Sequence, residues 1–177
     1  MKKGRVILAA ASAFVVLVGV AVNSRPPPLA VGDPIAEFVW GQRTGITVLW
    51  VVRPVDLLNC RTQVAARAIR HAQRDGLDSS RLVVAVVGNS KAASETVVSY
   101  LQRERIRAAA VAVSRYRAAA IGLSSPSIYA LDSGTVQWAW DTKSAAQEAM
   151  GVLSDYGLRR TVLQDDGTHR QTAAQGT

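Results

Sequence analysis

A chain of 177 residues has room for one domain with a hydrophobic core and short appendages. Its net charge of +8 comes from 17 arginines and only 4 lysines. The arginines are scattered through helical stretches, with Arg67, Arg70 and Arg74 in one and Arg103, Arg105 and Arg107 at the end of another, without interleaved aromatics, which reads as a solvated basic face and not as a nucleic-acid module. One cysteine excludes an internal disulfide and any multi-cysteine metal site. His71 and His169 stand apart from acidic neighbours, so neither metal nor cofactor is expected.

Lys2, Lys3 and Arg5 precede an uncharged run of 17 residues from Val6 to Val22. A basic flank before an apolar run is the pattern of a signal peptide or a signal anchor. The run reaches the lower limit for spanning a bilayer, and the basic flank places the remainder outside the cytoplasm. Residues 1–22 are therefore read as an inner-membrane anchor. Secretion after cleavage near Gly19 or Ala21 is the alternative. Residues 23–34 form a linker whose three prolines favour a stiff extended spacer.

The domain is expected over residues 35–157. Ala36–Trp40 is read as a short edge strand and Gly41–Gly45 as a turn. Ile46–Val52 is a buried strand, followed by a helix with Asp56 as N-cap and apolar positions at Leu57, Val64, Ala65, Ala68, Ile69 and Ala72. Asp75-Gly76 ends that helix. Arg81–Gly88 has the uninterrupted apolar character of a central parallel strand. Asn89-Ser90 opens a helix that faces Ala93, Val97, Val98 and Leu101 inward. Ala108–Val113 is a third strand, and Arg115–Ile121 a short helix. Ser127–Leu131 and Thr135–Trp140 form a hairpin about Asp132-Ser133-Gly134, with Trp138 and Trp140 on one face. A last helix starts at Thr142 or Ser144 and reaches Tyr156. Residues 158–177 read as a disordered polar tail. The order is that of an α/β sheet ending in an antiparallel hairpin.

Four landmarks in this order resemble the thioredoxin-like superfamily, in particular its membrane-anchored TlpA-type and redoxin members. Val31-Gly32-Asp33-Pro34-Ile35-Ala36-Glu37-Phe38 looks like the redoxin entry segment. Val48-Leu49-Trp50 with Asp56-Leu57-Leu58-Asn59-Cys60-Arg61 occupies the place of the strand, active site and helix. Gly122-Leu123-Ser124-Ser125-Pro126 is similar to the loop that carries the family's cis-proline, and Tyr129-Ala130-Leu131-Asp132-Ser133-Gly134 to the following strand and turn. The resemblance implies a three-layer fold, a central mixed sheet flanked by helices, behind the N-terminal transmembrane helix. It also implies a groove formed by Pro54, Asp56, Leu57, Ser125 and Pro126, with Cys60 as the one candidate catalytic residue.

The family's C-x-x-C maps onto Leu57-Leu58-Asn59-Cys60, so the attacking position is a leucine and a dithiol cycle within the chain is impossible. Two readings follow. In one, Cys60 does single-thiol chemistry as a thiol-disulfide oxidoreductase or peroxiredoxin-like antioxidant. In the other, Cys60 is a buried core residue and the groove binds a partner protein without chemistry. By resemblance Cys60 lies one turn into the helix, shielded, and Trp50 packs beside the sheet end.

Overall fold

The structure, a computed structural model, describes residues 28–41, 45–140 and 148–155. The expected membrane anchor, most of the linker, the start and end of the last helix and the polar tail lie outside them. Among the described residues no helix is long and apolar enough to cross a membrane.

The described chain runs α1 (Glu37–Trp40), β1 (Ile46–Val52), a 3-10 turn (Pro54–Asp56), α2 (Cys60–Arg74), a second 3-10 turn (Ser79–Arg81) and β2 (Leu82–Val87). It continues with α3 (Lys91–Arg103), β3 (Ala109–Val113), α4 (Arg115–Ala120), β4 (Ser127–Asp132) and β5 (Thr135–Trp140). Residues 148–155 form a last helix, α5. The strands make one sheet in the order β3-β2-β1-β4-β5. β1, β2 and β3 are mutually parallel, and β4 and β5 run antiparallel. This mixed five-stranded sheet flanked by helices is the central mixed sheet between helical layers that the sequence led us to expect.

Alternation along β1 divides the core in two. Val48, Trp50 and Val52 face one layer with Ala65, Ala68, Ile69 and Ala72 of α2, Val97 and Leu101 of α3, and Ala149 and Leu153 of α5. Leu49 and Val51 face the other, with Ile35, Val39, Trp40 and Ala118. Trp50 is not at the sheet end as expected. It pairs with Val84 on one side and Ile128 on the other, wholly buried in mid-sheet. Ala65, Ala66, Ala68 and Ala72, the buried alanines of α2, are small and leave room in this layer for the indole. β3 is alanine-rich and still a strand because it is an edge, paired only to β2 and half exposed along its length.

The hairpin carries a device that alternation alone does not reveal. Leu131 pairs with Val136, but the neighbouring Ala130 pairs with Trp138, so Gln137 is an extra residue in β5. The bulge sends Val136 to the layer of Leu49 and keeps Trp138 and Trp140 in the layer of Trp50. The two tryptophans thus share a face, as expected, and pack in the cluster that holds the residues of α5.

Residues 36–40 are a correction: Glu37–Trp40 is a helical turn, not an edge strand. The Trp40 indole donates to the Ile35 carbonyl (2.9 Å), which folds the segment back on itself. Pairing with the hairpin falls to the residues just before, through Gly32 N–H to Val136 O and Ile35 N–H to Gly134 O, both 2.8 Å. Gly134 (φ 87°) lies under the Trp40 ring, where an added Cβ would meet ring carbon Cζ2 at 2.5 Å. Gly134→Ala is therefore expected to destabilise by about 2 kcal/mol, combining a left-handed backbone with overpacking partly relieved by movement of the peripheral α1. A denaturant midpoint equal to that of the parent would refute this.

His71 also differs from its expected isolation. Its Nδ1 lies 2.8 Å from Asp75 one turn on, and the Ser154 hydroxyl donates to the same carboxylate at 2.8 Å. The Ser154 hydrogen bond and the His71 partner hold the Asp75 carboxyl below its usual range, against a smaller desolvation effect. The contact ties α5 to the end of α2.

Candidate functional site

The C-terminal end of β1 runs into a sequence of tight turns before any helix begins. Asp56 N–H bonds to Arg53 O (2.9 Å), Leu57 N–H to Pro54 O (3.3 Å) and Asn59 N–H to Asp56 O (2.9 Å). Only then does α2 start, with Asn59 as N-cap: its backbone is extended and its side chain accepts from Arg61 N–H at 3.0 Å. The expected cap, Asp56, is instead the last residue of the 3-10 turn. Its carboxylate is occupied elsewhere, which is why it cannot serve the helix.

This later start reverses the expected depths of two residues. Leu57 turns inward and joins the core layer of Trp50, being 7% exposed. Cys60 is the first residue of α2 and is exposed. The reading in which Cys60 is a buried core residue is therefore overturned. Its thiol donates to the Asn59 side-chain oxygen at 3.6 Å, the same oxygen that caps the helix. Two apolar side chains of the turn that precedes it are out in solvent, Leu58 at 87% and Val55 at 71% exposure.

Asp56 joins the two halves of the groove. Arg53 donates to it twice, from Nε to Oδ2 and from a terminal nitrogen to Oδ1, both at 2.8 Å. Across the sheet end, the Ser125 hydroxyl donates to Oδ2 at 2.7 Å. The peptide bond between Ser125 and the buried Pro126 is cis, as the resemblance implied. The loop is further held by Ser127 Oγ donating to Ser124 O (2.6 Å) and by a 3.2 Å contact between Ser124 Oγ and the Tyr129 hydroxyl. Burial pushes the Asp56 carboxyl up, but the hydrogen bonds from Arg53 and Ser125 and the Arg53 charge outweigh it. The result lies below the usual carboxylate value.

Of the expected groove residues, Asp56 and Ser125 are in direct contact. Pro54 precedes Asp56 in the turn, Pro126 adjoins Ser125, and Leu57 has left the surface. Arg53 was not expected in the groove, although an acid three residues after an arginine at a strand end was a readable signal. A cavity of about 300 Å³ opens next to the turn, between Pro54 and Val55 on one side and Ser90 and Ala93 at the start of α3 on the other. Gly88 allows that approach, since a Cβ there would sit 2.8 Å from the Ala93 methyl. Among the described residues no three of His, Cys, Asp and Glu converge as a metal set.

No family model and no curated protein matches the chain. Solved structures do overlap it. A thioredoxin-like protein in the oxidized form, in solution, covers 75% of this chain and 96% of its own at 9% identity, with a TM-score of 0.47. ScoI of Bradyrhizobium japonicum with copper bound covers 72% and 99%, at 16% identity and a TM-score of 0.47. A thiol:disulfide interchange protein of the thioredoxin family from Chlorobium tepidum TLS covers 77% and 99%, at 12% identity and a TM-score of 0.44.

Proposed function

We propose that this protein is a membrane-tethered, extracytoplasmic thioredoxin-like protein that engages a partner protein at the groove between the Pro54–Cys60 turn and the Ser125-Pro126 loop. Cys60 forms a mixed disulfide with that partner. The observation that carries this reading is the exposure of Cys60 at the first position of a capped helix. Exposed Val55 and Leu58 in the preceding turn supply apolar contact area of the kind interfaces bury.

The chemistry is a single exchange. The Cys60 thiolate attacks one sulfur of a partner disulfide, a new S–S bond forms to Cys60, and the other partner sulfur leaves as a thiolate. With Leu57 in the attacking position of the motif, the chain has no second thiol to release the product. Release falls to an external thiol, and the protein works as a carrier or a clamp and not as a turnover oxidoreductase.

Two measurements test this. In the folded protein Cys60 is expected to be alkylated, and to form a mixed disulfide with oxidised glutathione, about as fast as in denaturant, with Cys60→Ser forming no adduct. A thiol that reacts only on unfolding would sink the single-thiol reading. The tether rests on the Val6–Val22 run behind Lys2, Lys3 and Arg5. Intact mass of the membrane fraction is expected to retain these residues, and a mature form lacking Met1–Ala21 would overturn it.

A further inference from the structure

The two arginine stretches are distant in sequence, yet the fold brings Arg70 and Arg74 of α2 together with Arg103, Arg105 and Arg107 around one cavity of about 530 Å³. It lies at the C-terminal ends of α2 and α3, the end opposite to Cys60 and Ser90. Among the described lining residues Glu104 is the one acid. It is engaged by Arg70 at 3.0 Å and more loosely by Arg103 at 3.8 Å.

Some of these arginines have ordinary structural reasons. Arg74 and Arg103 sit in last helical turns, where a cation favours the dipole. Arg105 and Arg107 lie past the end of α3 and have no such reason. Both helices close with the same motif: Leu77 N–H reaches Ala72 O at 2.8 Å, and Ile106 N–H reaches Leu101 O at 2.9 Å. The left-handed position is Gly76 in the first (φ 111°) and Arg105 in the second (φ 56°). Glycine takes that backbone without penalty and arginine does not, so the arginine is held there against local preference. The loop is also preorganised. The Gln73 amide donates to Arg107 O at 2.6 Å and accepts from Arg107 N–H at 3.4 Å. Arg70 Nε is buried with no hydrogen-bond partner among the described residues.

From this arrangement we infer that the cavity binds a small oligophosphate, a ligand with at least two linked phosphate groups. Guanidinium stays charged at any working pH and matches phosphate oxygens in a two-pronged geometry. Five such groups against one carboxylate make a field that a single phosphate would leave largely uncompensated. The volume is that of a small-molecule site. Among the described residues no aromatic side chain lines the cavity, so the phosphates are the feature that this lining recognises.

The test is calorimetric titration of the full-length protein in neutral detergent with inorganic tripolyphosphate and with orthophosphate. Saturable one-to-one binding is expected, at least about tenfold tighter for tripolyphosphate. Arg105→Gly is expected to weaken it at least about tenfold, the loss of a charge-assisted contact. The same variant raises the ligand-free melting temperature by about 2–4 °C, because the left-handed backbone relaxes. Opposite signs separate a lost ligand contact from a damaged fold. Arg67→Ala removes an exposed arginine that does not line the cavity and leaves the affinity unchanged. A third titrant, the water-soluble bisphosphoglycerol headgroup of an anionic lipid, identifies the source: tighter binding of tripolyphosphate assigns a free oligophosphate, and tighter binding of the headgroup a membrane lipid. Absence of saturable binding by all three, or an equal loss in Arg67→Ala, overturns the inference.

Discussion

Trp50→Ala is expected to cost about 3–5 kcal/mol, enough to leave the domain marginal at 25 °C. Trp50 is fully buried at the centre of β1, with the Tyr100 ring 6.5 Å away and tilted 60° to it. Truncation to alanine empties a space bounded by sheet residues and by α2 and α3, and elements on both sides are held by other contacts, so collapse is incomplete. The indole N–H, however, has no hydrogen-bond partner among the described residues. A buried donor without an acceptor is a standing cost of about 1–3 kcal/mol. Trp50→Phe keeps most of the apolar volume and deletes that donor, so it is expected to cost less than about 1 kcal/mol. Urea midpoints of the two variants check this. If phenylalanine proved as damaging as alanine, the indole nitrogen would have a partner and the packing account would be wrong.

Much of this interior is legible in the sequence. Leu82–Val87 is apolar at every position and Ile46–Val52 at every position but Thr47, which fits strands covered on both faces. Asp75-Gly76 and Ser133-Gly134 carry the residues their left-handed turns require. What failed has one physical origin, the competition of local side-chain contacts with regular structure. At Trp40 an indole bond to Ile35 O turned an apparent strand into a helical turn. At Asp56 the carboxylate had three potential uses, and Arg53 and Ser125 took it from the helix. Ser125 is 69 residues away in sequence, so no local pattern could weigh that bond. The consequence was large, because moving the cap from Asp56 to Asn59 exchanged the inside and outside of Leu57 and Cys60. The arginine cavity is not legible in the sequence for a similar reason, as its members are neighbours only across the ends of two helices.

Asp56→Ala is expected to destabilise by about 3 kcal/mol and to loosen the Ser125-Pro126 loop. The Ser125 bond to a buried carboxylate accounts for most of it, about 1.5–3 kcal/mol. The Arg53 pair adds about 0.5–1 kcal/mol, discounted because the Arg53 side chain is 44% exposed and rehydrates when released. Asp56→Asn isolates the charge from the shape, since the amide oxygen still accepts from Ser125. The acid response then distinguishes the variants. Asp56 titrates below its usual value of 3.8 in the folded chain, so its contribution is complete above the unfolded value. As pH falls below that value the unfolded chain takes up the proton first, and stability drops until the folded carboxyl is protonated too. The parent is therefore expected to lose more stability than Asp56→Asn between about pH 5 and pH 2. Parallel acid limbs for the two proteins would show that Asp56 is not held by charge. For function, loosening the clamp leaves the Cys60 thiol exposed while detaching Ser125 from the turn that carries it. Under the proposed function, the variant should keep glutathione reactivity and lose partner discrimination, because the thiol belongs to α2 and the proposed groove to the Asp56–Ser125 bond.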